Sequence, residues 1–474
     1  MKNFSLNIWG RAGFAAVAAL LLNACAPGQD APTPTVSVNV SRYLAVGDSY
    51  TAGYSAGGLT RTGQEYSFPN LLARQLRGAN AGATFSQPLL EPGTGSGYLD
   101  LVDFTTTGFA RVRRVAGQSV RGAAIINPSA CGGPDTVRLL ARSATAGALP
   151  QNLGVPGLLL SQIEVAGLGN DVRATPGAAF NPYFERLLPA ADSRTYLQAA
   201  TDAAASATFF TYFQGLDDLL PYVRSGGQCG PVLSTTSTIN AFTTLLTTNA
   251  KKVLDRLTAR GVPGIIARLP ALTTLPLLRQ GEGLSLQACL RTSFGDTASL
   301  YIEGPFNSTV AQQIGPGDYV LATTLPRIGQ LVPVRVGSTT QMLPYGRNIR
   351  APLRDADVLD NDEQGRINLV LSNYNNYLKT LADNYKMPVI TAAGTQRTLD
   401  LDVALFDQVA GVIAIGGVQY SSEPVRGNFF SLDNYSLTPR GNGLLANTFI
   451  TAFNKAYQAN LPAIDVNSLP TTAR

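Results

Sequence analysis

The stretch Tyr43-Leu-Ala-Val-Gly-Asp-Ser-Tyr-Thr-Ala-Gly-Tyr54 constrains this chain more than any other. Arg42 to Val46 reads as a short buried strand, Gly47 and Asp48 break it, and Gly53 allows a tight start to the next element. Ser49 then falls where a parallel α/β sheet presents its strand ends to ligands, which is a nucleophile's position. An ordinary strand-to-loop turn accommodates Gly-Asp-Ser equally well, so the tripeptide alone does not decide between the two.

Composition limits what Ser49 can do. The 474 residues are 45% hydrophobic and 14% charged, which suits a globular chain of one large domain or two. There is no histidine, so no His-dependent triad, histidine metal site or imidazole base can be built. The net charge of +5 and pI near 9.0 could suggest nucleic acid. The Lys and Arg residues are scattered, however, with no run longer than Arg113-Arg114 or Lys251-Lys252, and this reads as a solvated surface.

Residues 1–24 read as a signal peptide: Lys2 and Arg11 lie before the start of an apolar run, Ala12 to Leu22, that is too short to span a bilayer. The ending Leu22-Asn23-Ala24-Cys25 resembles a bacterial lipobox. Cleavage before Cys25 leaves an amino-terminal Cys for lipidation, and the membrane becomes a partner through that anchor. The expected location is the bacterial cell envelope, at the outer membrane, with a plain secretory signal as the alternative. Residues 25–39, Pro-rich from Ala26 to Thr35, form a flexible tether. Cys131, Cys229 and Cys289 can make one disulfide. Cys131 and Cys229, both in Gly-rich loops, are the favoured pair, although spacing does not settle connectivity.

Residues 40–474 carry the main domain. Ser67 to Leu76 has helix character with Ser67 as N-cap and Pro69 in the first turn, and residues 79–150 read as an excursion beside the sheet, with a strand-like run Gly108 to Val115. The cluster Gly93 to Gly97 looks like a phosphate cradle, but no strand leads into it, and it reads as a loop. Asn152 to Gly157 followed by Leu158 to Ile163 reads as a strand end, a Gly turn and a helix start. Thr208 to Phe213 is a strongly β-prone run ending in Gly215-Leu-Asp217-Asp218. An amphipathic helix is expected between 236 and 262 with Gly261 at its C-cap, then a strand Gly264 to Pro270. Residues 271–350 form a second insertion with short β-like runs, Tyr319 to Thr324 and Val332 to Val336, expected to lie as a cap over the sheet's ligand end. A helix bearing Ile367, Val370, Leu371, Tyr374, Leu378, Leu381 and Tyr385 precedes a last sheet strand, Met387 to Ile390. A final helix carries Leu445, Phe449, Phe453 and Tyr457.

Four of these blocks, in order, resemble the SGNH (GDSL) hydrolase family of esterases and lipases, over roughly residues 40 to 470. The large 271–350 insertion resembles that of lipoprotein members. The resemblance implies a three-layer α/β/α, flavodoxin-like fold with a mostly parallel central sheet. It implies Ser49 as nucleophile and the Gly157 amide as an oxyanion-hole donor. Leu168-Gly-Asn-Asp171 mimics the family's third block but follows helix-like text too close to Gly157 for a crossover. The strand context favours Gly215 to Asp218, which places Asp217 where the family has its oxyanion Asn. Asp433 matches the fifth-block Asp that orients the base, and Ser436 stands where the His should be.

Removing the base of such a triad costs up to ~10⁶ in turnover, and losing an oxyanion donor costs ~10²–10³. Three readings therefore stand side by side. The chain is a weak hydrolase of carboxylic esters that uses Asp433 or another carboxylate in place of the imidazole, with a protonated Asp217 as donor. Or it is a pseudoenzyme that binds an acyl or glycan ligand, or a structural surface lipoprotein. None calls for a cofactor, a metal or nucleic acid.

Overall fold

A computed structural model describes residues 34–105, 108–128, 134–143, 148–170, 179–295, 299–304, 308–385 and 398–473. The chain separates at Pro34, and the unit described below is Thr35–Arg474. The proposed lipidation site Cys25, Cys131 of the favoured disulfide pair, Asp171 and the expected strand Met387 to Ile390 lie outside the described residues. Cys229 is disulfide-bonded, while Cys289 is free and exposed.

The centre is a five-stranded sheet in which every pairing is parallel. Its strands in chain order are β1 (Tyr43–Gly47), β2 (Asn152–Gly154), β3 (Phe209–Phe213), β4 (Gly264–Arg268) and β5 (Thr398–Asp400). Strand β1 runs one residue later than expected from sequence, and all five of its residues are buried, as a strand covered on both faces must be. In space the order is β5-β4-β3-β1-β2. The chain goes from β1 outward to the edge strand β2, then returns to the other side of β1 with β3. The crevice at the carboxyl ends of β1 and β3 is therefore the topological switch point, where open parallel sheets bind ligands.

Helices cover both faces. Phe209 and Phe213 point to one face: Phe209 packs edge-on against Phe453 and Tyr457 of helix α7 (Pro439–Tyr457), and Phe213 packs on Phe68 of helix α2 (Phe68–Ala79). Tyr212, one residue out of phase, faces the other layer and meets Tyr374 of helix α6 (Asn361–Asn384). Helix α5 (Thr236–Thr258) packs between α6 and helix α3 (Tyr196–Ala204) in that second layer. This period-2 division of β3 holds the sheet between its helices.

Several local expectations are corrected. Ser67 holds the N-cap position of α2, but its hydroxyl donates to the Gln64 carbonyl instead of capping. Helix α5 ends at Thr258, and Gly261 lies beyond the end with φ +69°. Leu158 to Ile163 makes a single 3₁₀ turn at Leu160–Gln162 and not the start of a longer helix. The run Tyr319 to Thr324 keeps strand pairing only at Tyr319–Val320. Residues 79–150 contain two antiparallel hairpins, Gly97–Phe104 with Ala110–Ala116 and Val120–Pro128 with Pro134–Leu140. The 271–350 insertion contributes to a small core of its own that includes Leu286, Leu300, Ile314, Val320 and Tyr345. It touches the Asp433 loop through the Leu277 N–H, which donates to the Asn434 carbonyl at 2.9 Å.

Candidate active site

Ser49 opens α1, the short helix Ser49–Ala52 directly after β1, and is 3% exposed. The tight passage from strand to helix depends on Gly47, because a Cβ there would run into the Phe213 carbonyl oxygen and the Thr51 side chain. Across the switch point β3 ends at Phe213. Gly215, with φ +114°, turns the chain into helix α4 (Leu216–Val223).

Asp48 locks these two strand ends together. Its Oδ2 accepts the N–H groups of Gly215 and Leu216, each at 3.0 Å, and of Asp217 at 3.3 Å. A carboxylate here satisfies amides that a helix start leaves unpaired and lies at the positive end of the helix dipole. Burial nonetheless pushes the Asp48 carboxyl well above the usual carboxylate range, and the neighbouring Asp217 charge adds to the rise. Its Oδ1 is buried without a partner among the described residues.

Asp217, carried on the first turn of α4, reaches back to Ser49. Its Oδ2 accepts three hydrogen bonds: from the Ser49 hydroxyl at 2.6 Å, the Gly157 N–H at 2.8 Å and the Ser49 N–H at 3.1 Å. Gly157 follows β2 with φ +70°, the left-handed region, and the space its Cβ would enter is open. Asp218 pins the same segment by accepting the Leu160 N–H at both carboxylate oxygens, 2.9 and 3.0 Å away. Burial raises the Asp217 carboxyl above its ordinary range, opposed by the Ser49 hydroxyl, by the Gly157 and Ser49 amides, and by Arg224.

Two backbone amides aimed at one point form a cradle for a negatively charged oxygen. That point is filled by the chain's own carboxylate. Ser49, Gly157 and Asp217 are thus brought together as the sequence predicts, with Asp217 as occupant of the cradle instead of a donor within it.

Asp433 and Ser436 are brought together as well, but apart from Ser49. They lie on the loop before α7, where Asp433 Oδ2 accepts the Ser436 hydroxyl at 2.6 Å and the Gly57 N–H at 2.7 Å. Its Oδ1 accepts the Ser436 N–H at 2.9 Å, the Ser431 hydroxyl at 3.0 Å and the Tyr435 N–H at 3.2 Å. Ser436 is fully buried, 2.8 Å from the Ser431 hydroxyl. No hydrogen bond joins Ser49 to Asp433 or Ser436, so Asp433 orients Ser436 and does not activate Ser49. The loop is docked on the Ser49 segment by other bonds: Tyr50 hydroxyl to Tyr435 carbonyl, Ser55 hydroxyl to Leu437 carbonyl, and Ala56 N–H to Ser431 hydroxyl.

Sequence reasoning passed over Asp48 as a partner and Arg224 altogether. Asp48 carries a signal, since a short acidic residue after a strand is a natural cap, but the amides it caps are 167 residues or more away. Arg224, just past the end of α4, lies over the Tyr435 ring at 5.0 Å. Nothing in the sequence separates it from the other scattered arginines. Among the described residues no group of three or more Cys, Asp or Glu could hold a metal ion, and no helix is long and apolar enough to cross a membrane. Comparisons with family models, curated proteins and solved structures find no match to this chain.

Proposed function

We propose that this chain is a ligand-binding member of the SGNH (GDSL) hydrolase family whose ester-hydrolysing centre is held shut by Asp217. It binds an acyl or glycan ligand at the cell envelope, anchored through a lipid on Cys25. The observation that carries this reading is the triple acceptance at Asp217 Oδ2, which fills the oxyanion position with a carboxyl oxygen of the chain itself. A substrate carbonyl cannot use amides that already donate to Asp217, and Ser49 has no imidazole to take its proton. The strand order, with Ser49 and Asp217 at the switch point, supports the flavodoxin-like three-layer assignment.

One contact favours a second reading. The 2.6 Å bond from the Ser49 hydroxyl to Asp217 would let that carboxylate act as a weak base, giving a slow hydrolase of carboxylic esters. Reaction of the purified mature protein with a fluorophosphonate probe and short-chain p-nitrophenyl esters separates the two. The binding reading expects no labelling or turnover that depends on Ser49. Rapid labelling abolished by Ser49→Ala would replace it with the hydrolase reading.

A further inference from the structure

Beside the closed cradle stands a pair of cations without carboxylate partners. Tyr54 is tied to the nucleophile segment, its N–H donating to the Ser49 carbonyl at 3.0 Å. Its ring stacks on Tyr435 with centroids 6.3 Å apart, and the Arg224 guanidinium lies over the far partner of that stack, 5.0 Å from the Tyr435 centroid. Arg224 is exposed to solvent, and no hydrogen bond or ion pair holds its guanidinium among the described residues. Arg114, also exposed, donates to the carbonyls of Gly57 and Ser96 at 2.6 and 3.4 Å and meets no carboxylate among the described residues.

Both guanidinium groups act on Tyr54. Burial, then Tyr183 and Asp433, push its hydroxyl up, and Arg224 and Arg114 pull it down. Arg224 is itself pulled down by burial, yet Tyr435, Asp433, Tyr54 and Asp217 together hold it above its ordinary value. A guanidinium stacked on an aromatic ring, partly desolvated on a residue that is still exposed, and lacking a direct counter-ion is arranged to receive a bidentate oxyanion. Gly157, whose N–H meets Asp217 beside Ser49, is exposed, and among the described residues nothing lies within 4 Å of where its Cβ would stand.

We propose that Arg224, with Arg114 across Tyr54, binds a carboxylate or phosphate group of the ligand, so that the Ser49 site takes acidic acyl or ester compounds. This inference rests on the reading of the Ser49 crevice as a ligand site. It adds the charge of the ligand and the residues that recognise it. The alternative role for Arg224, balancing the buried Asp217 and Asp433, would affect stability without conferring any preference for anionic ligands.

Calorimetric titration of the purified mature protein with monomethyl succinate, its uncharged counterpart methyl butyrate, and inorganic phosphate tests the proposal. A charge-assisted contact is expected to make monomethyl succinate bind about tenfold or more tighter than methyl butyrate. That preference should weaken with added salt, vanish in Arg224→Gln, persist in part in Arg224→Lys, and diminish in Arg114→Gln. Phosphate binding lost in Arg224→Gln, with no selective succinate binding, would support the site with phosphate as the group recognised. Equal binding of the charged and neutral esters, an anion preference that survives Arg224→Gln in a protein of unchanged melting temperature, or no binding of either anion would overturn it. Fluorophosphonate labelling of Ser49 is scored separately, so failure here is distinguishable from failure of the closed-centre reading.

Discussion

The Ser49 hydroxyl and the Asp217 carboxylate lie 2.6 Å apart, and the oxygen that accepts the hydroxyl also accepts the Ser49 and Gly157 amides. One side chain therefore engages both the Ser49 hydroxyl and the two amides beside it. Replacing that side chain alone does not supply a base.

Asp217→Asn combined with Ser436→His is expected to produce ester hydrolysis that depends on Ser49, and neither change alone should do so. The first replaces the carboxyl in the cradle with an amide that can donate, and the second places an imidazole beside Asp433, which already accepts from residue 436. Residues acting as a unit are strongly non-additive. Because Ser436 is fully buried, the larger side chain should also destabilise the fold by about 1–3 kcal/mol. Hydrolysis rates and melting temperatures of wild type, both singles and the double, each with a Ser49→Ala control, measure both effects. A wild type as fast as the double would sink the prediction.

Asp48→Ala should lower stability by about 2 kcal/mol or more, since it leaves buried amides at the start of α4 without an acceptor. Asp48→Asn should cost less, because its carbonyl oxygen can accept the same amides. Urea unfolding of both variants checks the ranking, and equal losses would contradict it.

Gly157→Ala and Gly47→Ala separate conformational strain from steric conflict. At Gly157 a Cβ meets open space, so the φ of +70° alone acts, at about 1–2 kcal/mol. At Gly47 the Cβ collides with backbone and side-chain atoms of Phe213 and Thr51, and the variant should lose far more stability or fail to fold. Comparable melting temperatures for the two would refute this.

Stability should depend on pH through Glu363, whose carboxyl burial pushes from 4.5 up to about 8. Its folded value lies above its unfolded one, so the folded state holds the proton more tightly. That contribution is complete below pH 4.5 and is lost as pH rises towards 8. Glu363→Gln, which keeps an acceptor for the Asp360 N–H, should flatten the decline of the urea midpoint across that window. An unchanged slope would count against the assignment.

Cys25→Ser should move the protein from the membrane to the soluble fraction on cell fractionation. A variant that remains membrane-bound as tightly as wild type would remove the lipid anchor from the proposal.

Much of the fold was legible in the sequence because its signals are local. The apolar run before Gly47, the amphipathic stripes of α5 and α6, and the Leu445, Phe449, Phe453 and Tyr457 stripe of α7 are recorded by neighbours within a turn or two. A local signal, the strand broken at Gly47-Asp48, drew attention to Ser49, whereas Gly157, Asp217, Asp433 and Ser436 were singled out by the resemblance to the SGNH family's blocks. What each of them touches was decided only by tertiary structure. Sheet order and register place Asp217 against a serine 168 residues away, and they let Asp48 cap a distant helix. The loop around Asp433 closes its hydrogen bonds on Ser431, Ser436 and Gly57, so an apparent triad element becomes a self-contained structural knot. Periodicity and capping depend on adjacent residues, whereas the partner of a buried carboxylate depends on which strand ends the fold sets side by side.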